Sequence, residues 1–173
     1  MNVFKTSLLA TALIAGGVIA PAHAANNMDF DVTITIDESC DVTATQNVAF
    51  AASPATPGTV ATQGSVSVQC TNGSAYDVAL NAGLHSGNDI NARQMEIAAG
   101  TDTIAYQLYQ DNAGSAGAVW GETVGTDTDT GTGTGFGTGA PYDQLHTVHA
   151  VATLVGTEPA GNYSDTITAT VTF

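Results

Sequence analysis

Near the front of the chain Met28, Phe30, Val32, Ile34 and Ile36 alternate with Asp29, Asp31, Thr33 and Thr35. Side chains on an extended strand point to opposite faces in turn, so this period of two gathers all five apolar residues on one face. The last residues repeat the pattern: Ile167, Ala169, Val171 and Phe173 alternate with Thr166, Thr168, Thr170 and Thr172. Each segment therefore predicts a strand with one greasy face that has to be covered. The cover comes either from the chain's own sheet or from another copy of the chain, and alternation alone does not choose between them.

Between these ends the period of two recurs in short runs. A weak strand is expected over Val42 to Phe50, followed by a loop holding Pro54, Pro57 and Gly58. Val66, Val68 and Cys70 alternate with Ser65, Ser67 and Gln69. Turn residues Thr71-Asn72-Gly73-Ser74 come next, and Tyr76, Val78 and Leu80 resume the pattern, which reads as a hairpin. Asn81 to Asn91 is a loop, Met95 and Ile97 mark a short strand, Ile104, Tyr106 and Leu108 another, and Val119-Trp120 a brief one. The tract from Gly121 to Gly139 is dominated by Thr, Gly and Asp; it is expected to be a surface flap that buries almost nothing. From Leu145 to Val155 apolar residues fall on both parities, which predicts a strand covered on both faces. No stretch carries a 3.6-residue stripe. About nine short strands separated by turn signals predict an all-β, immunoglobulin-like sandwich of Greek-key type.

The first residues change the picture of where this domain works. Lys5, the uncharged run from Leu8 to Ala20 and the triplet Ala22-His23-Ala24 read as a secretory signal peptide over residues 1–24, cut before Ala25. The run is too short for the roughly 20 residues of a membrane-crossing helix, and no later stretch is better, so an exported chain with no membrane span is expected. Removing 24 of 173 residues leaves 149, the size of one domain. Its 16 acids then face a single base, Arg93, for a formal charge of −15. Phosphate binding needs clustered Lys and Arg, so nucleic acid is not a partner. Cys40 and Cys70 remain, and in an oxidising compartment one disulfide between them is the economical assignment.

Candidate chemistry is sparse. Asp127-Thr128-Asp129-Thr130-Gly131 resembles a calcium loop in its alternating acids, but lacks the third acidic position and a closing Glu, so no metal is assigned. His146 and His149 would point to opposite faces of a strand and read as surface or pocket-lining residues. Ser, Asp and His occur without a nucleophile elbow, and the Gly-rich tract lacks the Lys of a phosphate loop. Trp120, Tyr106 and Tyr109 could form a sugar platform, although such aromatics in a sandwich are more often core. No catalytic residue, cofactor or enzyme activity is assigned.

Several stretches together resemble the spore coat protein U domain family, which includes subunits of archaic (Csu-type) chaperone-usher pili. They are the alternating strand leading to Cys40, Val66-Ser67-Val68-Gln69-Cys70-Thr71-Asn72-Gly73 with Tyr76, Arg93-Gln94-Met95, Ile104 to Asp111, Trp120-Gly121 and Ala160 to Phe173. The resemblance covers essentially the whole mature chain and implies an incomplete sandwich over residues 37–173, completed by a donor strand from a neighbouring subunit. Residues 25–36 would be that donor strand, with Met28, Phe30, Val32, Ile34 and Ile36 filling the neighbour's groove. Ile167, Ala169, Val171 and Phe173 would line one side of the receiving groove. The implied function is a structural subunit of an extracellular pilus for attachment and biofilm formation. Implied partners are identical or related pilins, with a periplasmic chaperone and an outer-membrane usher during assembly. A spore or cell-surface coat protein using the same secretion route, and a soluble carbohydrate-binding sandwich, are the alternatives.

Overall fold

The computed structural model describes residues 26–53, 57–112 and 117–173, so the expected signal peptide lies outside the described residues. Nine strands and no helix occur among them: β1 (Cys40–Gln46), β2 (Gly58–Cys70), β3 (Ala75–Leu80), β4 (Gln94–Ile97), β5 (Thr103–Tyr109), β6 (Asp129–Thr132), β7 (Gln144–Leu154), β8 (Tyr163–Ser164) and β9 (Ala169–Thr172). They form two antiparallel sheets, a six-stranded one in the order β1-β2-β7-β5-β4-β8 and a three-stranded one in the order β6-β3-β9.

Alternation decides which face of each strand turns inward. Val66, Val68 and Cys70 of β2, Tyr106 and Leu108 of β5, and Val148, Ala150 and Ala152 of β7 meet Tyr76, Val78 and Leu80 of β3 in one core. Trp120 is fully buried among them, its backbone N–H bonded to Leu108 O and its indole Nε1 donating to Val78 O at 2.7 Å. Tyr106 and Tyr109 are buried as well, so all three candidate platform aromatics are core.

Three local expectations are corrected. The runs on either side of Thr71-Asn72-Gly73-Ser74 do not pair as a hairpin; β2 and β3 lie in different sheets, and the turn carries the chain from one sheet to the other. Both edges of β2 are already taken, by β1 and β7, and Gly73 N–H bonds to Gly133 O instead of across a hairpin. The Thr-Gly tract is not an unburied flap: β6 runs through it and pairs with β3, and Thr128 is buried. Glycine there allows close approach, since at Gly131 an added Cβ would collide with the Tyr76 ring. Finally, β7 is covered on one face only. Its even residues from His146 to Leu154 are buried, whereas Leu145 is exposed and Val151 only half-buried.

The segment 26–35 forms no strand. Its apolar side chains Met28, Phe30, Val32 and Ile34 are 84–93% exposed, and Ile36 is 76% exposed. A strand is a paired state, so a sequence patterned for one stays irregular where no partner edge meets it.

Candidate functional site

Two breaks in strand pairing open the molecule along one side. β1 ends at Gln46, and the chain continues through Asn47, Val48 and Phe50 over β2, passing so close to Gly64 that any side chain there would strike Gln46 O and Val48. At the other wall, residues 165–168 run outside any sheet before β9 begins. Between them lies a cleft of about 460 Å³ with Val66, Leu80, Leu108 and Val148 among its lining. Core side chains of both sheets thus face an open space.

The 165–168 wall is held from one side. Asn81 N–H donates to Thr168 O at 3.1 Å, and Asn81 Oδ1 accepts from Thr168 N–H at 2.9 Å. Asp165 accepts from Tyr106 OH at 2.6 Å and from the backbone N–H groups of Leu84 and Thr166, both at 2.8 Å. Burial, with the bond to Asp165 next, pushes the Tyr106 hydroxyl far above its usual range, so it is a fixed donor at neutral pH. Of the residues expected to line a receiving groove, Ile167 and Ala169 line this cleft. Val171 packs against the core, and Phe173 is half-exposed beside a separate shallow hollow with Val124 and Thr130.

Behind the cleft sits Arg93, 1% exposed, whose importance the sequence reading missed. Its Nε donates to Asn81 O at 3.1 Å, Nη1 to Gln107 Oε1 at 2.8 Å, and Nη2 to the carbonyls of Leu80, Asn81 and Trp120 at 2.8–2.9 Å. Burial lowers its pKa, against which Tyr106, Glu122, Asp165 and Asp127 act. The signal available beforehand was that the only base after the leader falls between two strand-forming runs, which suits a buried multidentate donor better than a surface charge.

The opposite end of the interior is closed. Cys40 and Cys70 are joined in a disulfide, with Cα atoms 4.1 Å apart. His146 is not a surface or pocket-lining residue; it is buried, with its Nε2 2.8 Å from Tyr76 OH and its Nδ1 2.8 Å from Asp129 Oδ2. With a proton on Nδ1 the ring donates to Asp129 Oδ2, and Nε2 shares a hydrogen bond with the Tyr76 hydroxyl. It ties β7 of the large sheet to β3 and β6 of the small one. His149 faces the other way and pairs with Gln63 at 3.1 Å. The acids of the calcium-like stretch are also engaged separately: Asp127 Oδ1 accepts from Thr123 N–H at 2.6 Å, while Asp129 turns to His146.

An antiparallel sandwich stapled at one end and open over its core at the other defines a class, the incomplete immunoglobulin-like all-β sandwich. The chain belongs to the Spore Coat Protein U domain family, whose model matches residues 26–170. Protein U of Myxococcus xanthus is 33% identical over 114 residues, covering 64% of this chain and 59% of that protein. Among solved structures, a chain of the CsuC–CsuE chaperone–tip adhesion subunit pre-assembly complex, from the archaic chaperone-usher Csu pili of Acinetobacter baumannii, matches with a TM-score of 0.53 at 24% identity. That match covers 80% of this chain and 41% of the other, and at such identity it speaks to the fold. This chain thus spans about three fifths of the one relative and two fifths of the other.

Proposed function

We propose that this protein is a structural subunit of an extracellular fibre of the archaic chaperone-usher type, exported through the periplasm and joined head to tail by strand donation. The observation that carries the reading is the cleft, in which core residues of both sheets lack a cover. Met28, Phe30, Val32, Ile34 and Ile36 of one copy fill the cleft of the next, where Ile167 and Ala169 form part of one wall and Val171 and Phe173 continue the receiving strand. Burying five such side chains at roughly 1.5–3 kcal/mol each yields on the order of 10 kcal/mol before ordering costs, comparable with the stability of a whole domain. A contact of that kind does not close on itself, so it extends into a filament. Until then a periplasmic chaperone fills the cleft and an outer-membrane usher directs the exchange. Attachment and biofilm formation are the expected roles of the fibre.

Deleting residues 25–36 tests this directly. The truncated protein is expected to fold with a chaperone yet form no chains by electron microscopy, whereas fusing the same segment after Phe173 should give a stable monomer. Normal polymerisation of the truncated protein overturns strand donation. The family's name supports a second reading, a coat protein, which in this form makes no long fibre. Long thin filaments containing this chain on native cells would remove that reading.

A further inference from the structure

We propose that the Cys40–Cys70 bond, helped by Thr71, diverts tension arriving through the N-terminal arm into β2, and thereby spares the wall of the protein's own cleft. The inference rests on strand donation as the way copies are joined. Under that arrangement each subunit is pulled at its own arm while its cleft grips the arm of another copy. The two duties meet in one stretch of chain, because the arm leads into β1 and the continuation of β1 through Val48 and Phe50 walls the cleft.

β1 is poorly suited to transmit tension. It is the edge strand of the large sheet, paired with β2 alone, and a register shift between Val42 and Ala44 interrupts that pairing. β2 is bordered on both sides and pairs with β7 continuously from Gly58↔Leu154 to Val68↔Gln144. The crossing from the weak strand to the strong one comes at the first residue of β1, where Cys40 lies opposite Cys70 and is bonded to it. Just ahead of it Thr71 holds the incoming chain. Its backbone N–H donates to Ser39 O at 2.9 Å, and its Oγ1 accepts from Ser39 N–H at 3.0 Å. Tension therefore meets β2 before it meets β1. Without the covalent link the same pull would peel β1 from the one strand it pairs with and draw Val48 and Phe50 out of the cleft, releasing the arm held there.

Filaments assembled from the oxidised full chain and then reduced with a phosphine are expected to persist at rest but to break at a severalfold lower tension in optical tweezers. A Cys40→Ser, Cys70→Ser double variant, if it assembles, should behave like the reduced filament. Equal rupture tension in oxidised and reduced filaments, with reduction verified by thiol labelling, overturns the proposal. If no filament forms at all, strand donation itself is at fault. The clamp is then read on single chains pulled between a tag before Met28 and Phe173. The double variant should show an early step of about 60 Å, the extended length between Cys40 and Gly58, that the oxidised chain lacks. Absence of that step from the variant counts against the clamp.

Discussion

The two ends of the interior are built from the same strands and differ in how the sheets are joined. At one end His146 reaches from β7 to Tyr76 and Asp129, and the disulfide fixes β1 to β2. At the other, Leu80 of β3 and Leu108 of β5 line a cleft whose walls have left the sheets. The open end is not a looser version of the closed one, since Arg93, Asn81 and Asp165 hold its rear wall with a dense set of hydrogen bonds. Openness here is a missing strand inside a well-braced frame, the condition under which an apolar segment can be bound without reorganising its receptor.

The comparison predicts a sharp difference in how each end responds to truncation. Trp120→Ala empties a fully buried site in the braced frame and is expected to cost about 3–5 kcal/mol, equally in the free protein and in the version with residues 25–36 fused after Phe173. Chemical denaturation of both proteins measures this. A loss confined to the fused protein would place Trp120 in the cleft's energetics and break the distinction between frame and opening.

Ile167→Ala should act in the opposite way. Ile167 is half-buried in the free chain, so truncation there should cost under about 1 kcal/mol; in the fused protein, with the donor segment laid over it, about 2–4 kcal/mol. Double-mutant comparison with Ile34→Ala, in the fused protein, sharpens the test, because residues that touch show coupling and distant ones add. Equal costs in the free and fused proteins would mean that the segment docks elsewhere.

The strands were legible in the sequence where burial on one face imposed a period of two. That is why the Ile104 to Leu108 and Tyr76 to Leu80 runs fall within observed strands, and why the terminal alternation pointed to a face in need of cover. What escaped reading depended on partners distant in the chain. Nothing local in Gly-Thr-Gly-Thr shows that β3 will offer it an edge, or that Gly131 is needed so that Tyr76 can lie across it. The supposed hairpin at Thr71 to Ser74 failed for the converse reason: the turn chemistry was right, but β1 and β7 had already claimed both edges of β2. His146 could have been recovered, because it shares parity with Val148, Ala150 and Ala152 and must therefore turn inward with them. The alternation of Met28 to Ile36 marks a face in need of cover and no more; in the proposed fibre the edge that orders it belongs to a second copy.

The smallest expected effect concerns the bridge at the closed end, and it has a defined pH window. A hydrogen bond to the His146 ring holds the Asp129 carboxyl below its ordinary value, outweighing the opposing effect of burial. A folded-state pKa below the unfolded one means that the unfolded chain takes up a proton first as pH falls. The stabilisation is thus fully present above about pH 4, the ordinary carboxylate value, and is lost as pH falls through the lower folded value. Asp129→Asn keeps a carbonyl acceptor for Nδ1–H but cannot titrate. It should cost about 1 kcal/mol or less at pH 7 and shrink the stability lost between pH 5 and pH 2. The other carboxylates are common to both proteins, so the difference between their denaturation midpoints isolates the Asp129–His146 pair. Parallel curves for the two proteins across that range would show that the sheets are held together at this end by packing around Trp120, with the charge on Asp129 contributing nothing.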